Sequence, residues 1–208
     1  VYFGGSEHTL GHTLYARFFT KFFKDLGLVD FEEFALKRAQ HGVILGTDGA
    51  RMSKSRGNVV NPDRVVEEYG ADTVRLYLCF MMPYTATAPW SDSAISGIYR
   101  FLKRVWDLQN ILVEDEISSE DNFEMNSAIK KVSEDLENLN FNTAVSALMI
   151  WLNHLSSKKA VSRLEYETFL KLLAPFAPFI TEEIWHSIKE NASSIHLEKF
   201  PDYQAKHI

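Results

Sequence analysis

The chain has 208 residues, 46% of them hydrophobic, and 22 Lys plus Arg against 28 Asp plus Glu give a formal charge of −6. That length holds one large domain or two modest ones with ample core, and the acidic balance excludes nucleic-acid binding through overall charge, so any RNA contact must be local. No apolar run approaches the ~18 residues of a membrane span, no basic flank with an apolar core marks an export signal, and the single cysteine, Cys79 in an apolar run, excludes an internal disulfide.

A cytoplasmic protein with no membrane partner is therefore expected. The opening Val1-Tyr2-Phe3, without an initiator methionine, suggests an excised piece and reads as the end of a short buried strand. Gly4-Gly5 then turns into a helix expected from about His8 to Leu26, with Leu10, Leu14, Phe18 and Phe22 at four-residue steps and Gly27 as its stop. Strand-to-helix order recurs at Val43-Ile44-Leu45, a polar loop, and a helix with Asn61 as N-cap, Pro62 at its first position and Gly70 closing it. This is α/β organisation, in which glycine turns at the C-terminal ends of parallel strands bind nucleotides.

From about Ser93 the strand signals vanish. Ile98/Phe101/Leu102/Val105/Leu108/Leu112, Met125/Ile129/Val132/Leu136/Leu139, Val145/Leu148/Trp151/Leu152/Leu155 and Ile180/Ile184/Ile188 recur at helical spacing. They predict an all-α helical bundle, up-and-down given the short connections. The expected division is an α/β part over 1–92 and the bundle over 93–208. Trp151 and Trp185 fall on the apolar stripes, which favours core over base-stacking platforms.

The octapeptide Arg51-Met52-Ser53-Lys54-Ser55-Arg56-Gly57-Asn58 narrows the function most. Its cations, hydroxyls and glycine suit a polyphosphate: Gly57 lets backbone N–H groups approach phosphate oxygens, and the cations offset charge growing on a leaving pyrophosphate. The plain alternative is a basic turn facing water. His8 and His12 carry two misleading patterns. His8-Thr9-Leu10-Gly11-His12 has one residue too many for a His-x-Gly-His motif. As a zinc helix it lacks a third ligand, and Glu7 precedes the first histidine, so no metal is expected there.

Arg51 to Ser55 resembles the Lys-Met-Ser-Lys-Ser signature of class I aminoacyl-tRNA synthetases, and Gly57-Asn58-Val59-Val60-Asn61-Pro62 continues it. Gly4-Gly5-Ser6-Glu7-His8 with His12, Tyr69-Gly70-Ala71-Asp72-Thr73-Val74-Arg75-Leu76, Phe141-Asn142-Thr143-Ala144 and Leu173-Ala174-Pro175-Phe176-Ala177-Pro178 are similar to the bacterial leucyl-tRNA synthetases. The resemblance implies the C-terminal half of a Rossmann-like catalytic domain followed by an anticodon-binding domain. It implies leucine, ATP with Mg²⁺, and tRNA(Leu) as the parent's ligands, with the isolated piece inactive. By the same resemblance Lys54 stabilises the transition state, assisted by Arg51. Met52, Ser53, Ser55, Gly4, Gly5 and Glu7 meet ATP, and His8 and His12 border the leucine pocket. Two departures stand out: Arg51 replaces the usual lysine, exchanging a point donor for a planar fork, and Gly11 replaces a bulkier apolar residue. Isoleucyl- or valyl-tRNA synthetases, and a non-catalytic RNA-binding module derived from a synthetase, are the alternative readings.

Overall fold

A computed structural model of the chain describes residues 1–114, 117–189 and 193–205. In chain order the elements are β1 (Tyr2–Gly4), α1 (His12–Asp25), β2 (Arg38–Gln40), β3 (Ile44–Leu45), α2 (Pro62–Tyr69), α3 (Ala71–Phe80), β4 (Ala88–Pro89), α4 (Asp92–Asp107), β5 (Leu112–Val113), α5 (Ser119–Glu137), α6 (Phe141–Ser157), β6 (Val161–Ser162), α7 (Arg163–Leu173) and α8 (Pro178–Ile188). They pack as two units, residues 1–58 with 84–90, and residues 59–83 with 91–208.

The first unit holds two short parallel pairs. β1 runs beside β2 in the register Tyr2↔Arg38, and β3 beside β4 in the register Ile44↔Ala88. Gly42 lies so close to the β4 approach that a Cβ on it would sit 1.4 Å from the Ala86 carbonyl oxygen, which leaves glycine as the only residue that fits. Gly27 ends α1 as expected, at φ 70°, with its N–H on the Lys24 carbonyl. The start of α1 differs from the sequence reading. A 3₁₀ turn covers Ser6–His8, Gly11 stands at the N-cap with φ −100° and ψ −108°, and the helix begins only at His12. A residue without Cβ takes up this non-helical backbone readily, and so breaks what the apolar spacing suggested was one helix. Leu14, Phe18 and Phe22 lie on α1 but are exposed, while Thr13 and Thr20 are its buried residues.

The second unit is helical. Asn61 caps α2 by accepting from the Asp63 N–H, and Pro62 occupies the first position, as read. Gly70, at φ 85° and ψ 156°, breaks the chain between α2 and α3 in a conformation strained for any residue with a Cβ. α3 packs on α4, α6 and α8 and buries Leu76 and Tyr77. Trp151, Trp185, Tyr166, Phe169, Leu148, Leu152 and Leu155 are fully buried, so the tryptophans are core. Burying such large side chains stabilises by roughly 1.5–3 kcal/mol each.

The α/β part and the helical bundle are both present, with two local corrections. A parallel pair, β5 with β6, lies among the helices where no strand was expected, because two residues are too few to carry a period-2 pattern. Leu112 and Leu139 leave their stripes for β5 and for a left-handed residue at φ 60° after α5. In the packing, residues 59–83 cluster with the later helices.

Candidate functional site

Both loops singled out in the sequence belong to the first unit and follow the C-terminal ends of parallel strands. Gly4 is the last residue of β1 and Gly5 follows it, and residues 46–58 follow β3. The longer loop opens with a tight turn, in which the Gly46 N–H donates to the Ala50 carbonyl at 2.8 Å and Gly49 adopts φ 74°. Arg51 then bridges back to Leu45 in antiparallel fashion. Lys54–Arg56 form one 3₁₀ turn, with the Arg56 N–H on the Ser53 carbonyl, and Gly57 ends it at φ 68°. That left-handed residue is the point where the backbone requires glycine. The Ser53 and Ser55 hydroxyls lie 2.8 Å apart, and Met52 and Ser53 are half-buried. Lys54 and Arg56 are exposed, with no ion pair among the described residues.

The shorter loop meets the longer one. The Glu7 carboxylate lies 3.7 Å from the Arg51 guanidinium, both groups exposed. Its own backbone N–H first, and then the charge of Arg51, hold the Glu7 carboxyl below its ordinary range. Arg38 on β2 donates to the Gly5 carbonyl and to the Thr9 hydroxyl, each at 2.8 Å, and so ties the Gly4-Gly5 turn to the sheet. His8 closes the 3₁₀ turn and His12 starts α1, so the two histidines do not share one helical face. His12 stacks on Tyr2 with ring centres 5.7 Å apart, and His8 is exposed. The structure therefore brings Glu7 and Arg51 together and holds Ser53 and Ser55 beside Lys54.

Three residues that sequence reasoning gave no role complete this arrangement: Arg38, Asp48 and Asn58. Asn58 Oδ1 accepts from the Ser53 N–H at 2.9 Å, and its Nδ2 donates to Asp48 Oδ1 and Oδ2 at 3.1 Å and to the Arg51 carbonyl at 3.3 Å. The Ala50 N–H, foremost, and then the Asn58 amide hold the Asp48 carboxyl below its ordinary range. Asn58 stood at the end of the octapeptide without a role of its own; for Arg38 the sequence carries no signal.

The exposed cations, paired hydroxyls and left-handed glycine suit phosphate oxygens. The nearby carboxylates of Glu7 and Asp48 are engaged as described and do not form a cation cage. Elsewhere, Asp121, His154 and Glu165 bring ligand atoms within 4.8 Å of one another. There the Lys158 ammonium already bridges the two carboxylates, 2.6 Å from Asp121 and 2.8 Å from Glu165, so the chain supplies the cation itself. Among the described residues no helix is long and apolar enough to cross a membrane.

Residues 33–91 match the family model of class I tRNA synthetases (I, L, M and V), and residues 122–208 match that of the anticodon-binding domain of tRNA ligases. The two matches fall on separate stretches of the chain, the first on the part that carries the 51–58 loop and the second on the later helices. Within class I the similarity is to leucine enzymes. The chain is 45% identical to the leucine–tRNA ligase of Pelodictyon phaeoclathratiforme and 46% identical to that of Chloroherpeton thalassium, over 99% of its own length and 26% of theirs. It superposes with a TM-score of 0.87 and 33% identity on the agnB2 LeuRS of Agrobacterium radiobacter K84, solved as a ternary complex with tRNA and LeuAMS. That match covers 99% of this chain and 29% of the other. The resemblance to leucyl-tRNA synthetases therefore runs the length of the chain, which spans about a quarter of the relatives it matches.

Proposed function

We propose that the chain is the segment of a leucine–tRNA ligase that carries the pyrophosphate-facing loop and the anticodon-binding bundle. The observation that carries this reading is the loop at 51–58, with Lys54 and Arg56 exposed on a turn that ends in a left-handed Gly57. In the parent reaction a leucine carboxylate oxygen attacks the α-phosphate of ATP and pyrophosphate leaves. A terminal ribose hydroxyl of tRNA(Leu) then attacks the acyl carbon of leucyl-adenylate, giving the ester and releasing AMP. Such phosphoryl chemistry depends on positioning and on charge neutralisation more than on proton transfer.

In this reading Lys54 stabilises charge on the departing pyrophosphate, with Arg51, Met52, Ser53 and Ser55 completing the loop's contacts. Gly4 and Gly5 admit the adenosine and Glu7 accepts from a ribose hydroxyl. His8 and His12 border the leucine pocket. The Glu7–Arg51 contact of 3.7 Å supports a coupling of the ribose and phosphate ends of the site. Mg²⁺ would arrive with ATP as part of the substrate and would supply charge neutralisation on its phosphates; the carboxylates nearest the loop, Glu7 and Asp48, are hydrogen-bonded or charge-paired. A cytoplasmic location fits this role.

The test is leucine-dependent ATP–pyrophosphate exchange by a leucine–tRNA ligase carrying this segment. Lys54→Ala lowers it by about 10²- to 10³-fold, the scale for losing one preorganised donor, and Arg51→Lys leaves it nearly unchanged. The 208-residue chain alone shows no exchange above background. Exchange by Lys54→Ala within threefold of the parent removes the role assigned to the loop.

A further inference from the structure

We infer that Asn58 is a positioning residue that holds the 51–57 loop closed and so fixes the height of Lys54 and Arg56, an inference that rests on the phosphate role proposed for that loop. One carboxamide joins both ends of the segment. Its oxygen takes the Ser53 N–H at 2.9 Å, and its nitrogen reaches both Asp48 oxygens at 3.1 Å and the Arg51 carbonyl at 3.3 Å. Asp48 passes the restraint on by accepting the Ala50 N–H at 3.0 Å. The space between the partners is closed as well. A Cβ on Gly46 would lie 2.7 Å from Asp48 Oδ1 and 3.0 Å from Asn58 Nδ2, so Gly46, Asp48 and Asn58 fit only as a set.

The chemistry specifies an amide. A group at this position must accept from the Ser53 N–H and donate to both the Asp48 carboxylate and the Arg51 carbonyl, for which a carboxylate has no donor and a hydroxyl only one. Asn58 touches no reacting atom; its effect passes through the turn it clamps. Between the clamped ends, Lys54 and Arg56 project from a 3₁₀ turn restrained, among the described residues, by short-range backbone bonds, the Ser53–Ser55 hydroxyl contact and the attraction between Arg56 and Asp48. Cations held in place before the reaction stabilise developing charge without reorganisation, whereas cations on a loose loop must be ordered during the reaction itself.

The loop offers its own reporter, because Arg51, Lys54 and Arg56 are exposed tryptic sites. Asn58→Asp sets a carboxylate against that of Asp48 and should speed initial cleavage after these three residues in the 208-residue chain by about tenfold, the scale for losing a small set of hydrogen bonds that restrain local opening. Cleavage within residues 91–189 stays unchanged, which confirms folding. The double variant Asp48→Asn/Asn58→Asp restores a donor opposite an acceptor and returns cleavage to within about threefold of the starting chain. In a ligase carrying the segment, Asn58→Asp raises KM for ATP and lowers kcat while KM for leucine is held. Unchanged loop cleavage, failure of the double variant to restore it, or faster cleavage with unaltered ATP kinetics each overturns the inference. A ligase that tolerates Lys54→Ala while Asn58 still governs cleavage would instead count against the phosphate role of the loop.

Discussion

Replacing Lys158 with methionine tests how the helical unit is fastened. Lys158 follows α6, and its ammonium lies 2.6 Å from Asp121 in the first turn of α5 and 2.8 Å from Glu165 in the first turn of α7. The Glu165 side chain is 1% exposed and that of Lys158 19%. Glu165 also closes a capping box with Ser162, so its carboxylate is fixed in place and cannot turn out to water. Breaking a buried pair by removing one partner costs about 3–5 kcal/mol, because the other charge is left without compensation. The partial exposure of Lys158 and the contacts that Glu165 keeps reduce this to about 2–4 kcal/mol. Methionine preserves the aliphatic stem, so the loss reports the charge. Urea unfolding of the 208-residue chain, followed by helical circular dichroism, measures it as a lower midpoint at constant slope. Adding Glu165→Gln neutralises the stranded carboxylate while keeping the capping box, and should recover at least half of the loss. A cost below ~1 kcal/mol for Lys158→Met, or a double variant less stable than the single, would refute a network held by charge.

The other expectations follow from single contacts. Asp72 accepts the Ile180 N–H at 2.7 Å and so caps α8, whose own N-cap, Ala177, has no side-chain acceptor. Asp72→Ala should therefore lower stability by about 1–2 kcal/mol, and Asp72→Asn, which keeps an acceptor oxygen, by less than half of that, both read from thermal unfolding. Asp121 gives a pH dependence of known sign. Burial works to raise its carboxyl, but the hydrogen bonds from Lys158, His154 and Ser118 outweigh burial and hold it well below 3.8. A carboxyl lowered on folding contributes stability that is complete above its unfolded value of about 3.9 and is lost as the pH falls towards the folded one. Urea midpoints between pH 5 and pH 3 should thus fall more steeply for the parent chain than for Asp121→Asn, and parallel slopes would argue against the assignment.

What the sequence made legible was chemistry that acts within a few residues. Asn61-Pro62 at the start of α2, Gly70 at its end, Gly27 after α1 and the apolar stripes of α4, α5 and α6 each state their conformation locally, and each is found. The same kind of signal was present at Ser118-x-x-Asp121 and Ser162-x-x-Glu165, which cap α5 and α7, and a search for capping pairs would have found both helix starts. The loop at 51–58 was legible as a composition, since its charges and hydroxyls mean the same in any backbone.

Its geometry was not legible, because the partners that hold it are set by closure and not by spacing. The Asn58 amide meets Asp48 ten positions back across a loop with no regular period, and Arg38 reaches Gly5 across 33 positions because β1 and β2 lie parallel in one register. Residue type alone predicts neither pairing: an Asn in a polar loop and an Arg in a three-residue strand are ordinary surface residues until the pairing places a carbonyl or a carboxylate opposite them. The same argument explains α1. Its four-residue apolar steps are real, yet Gly11 outweighs them at the N-terminus, and on the helix itself the buried positions are Thr13 and Thr20 while the phenylalanines face outward. Periodicity shows that a face is apolar, whereas the elements packed against the helix decide which face is covered. In α1 the apolar side chains of Leu14, Phe18, Phe19 and Phe22 are exposed, so its apolar face is not the one that is covered.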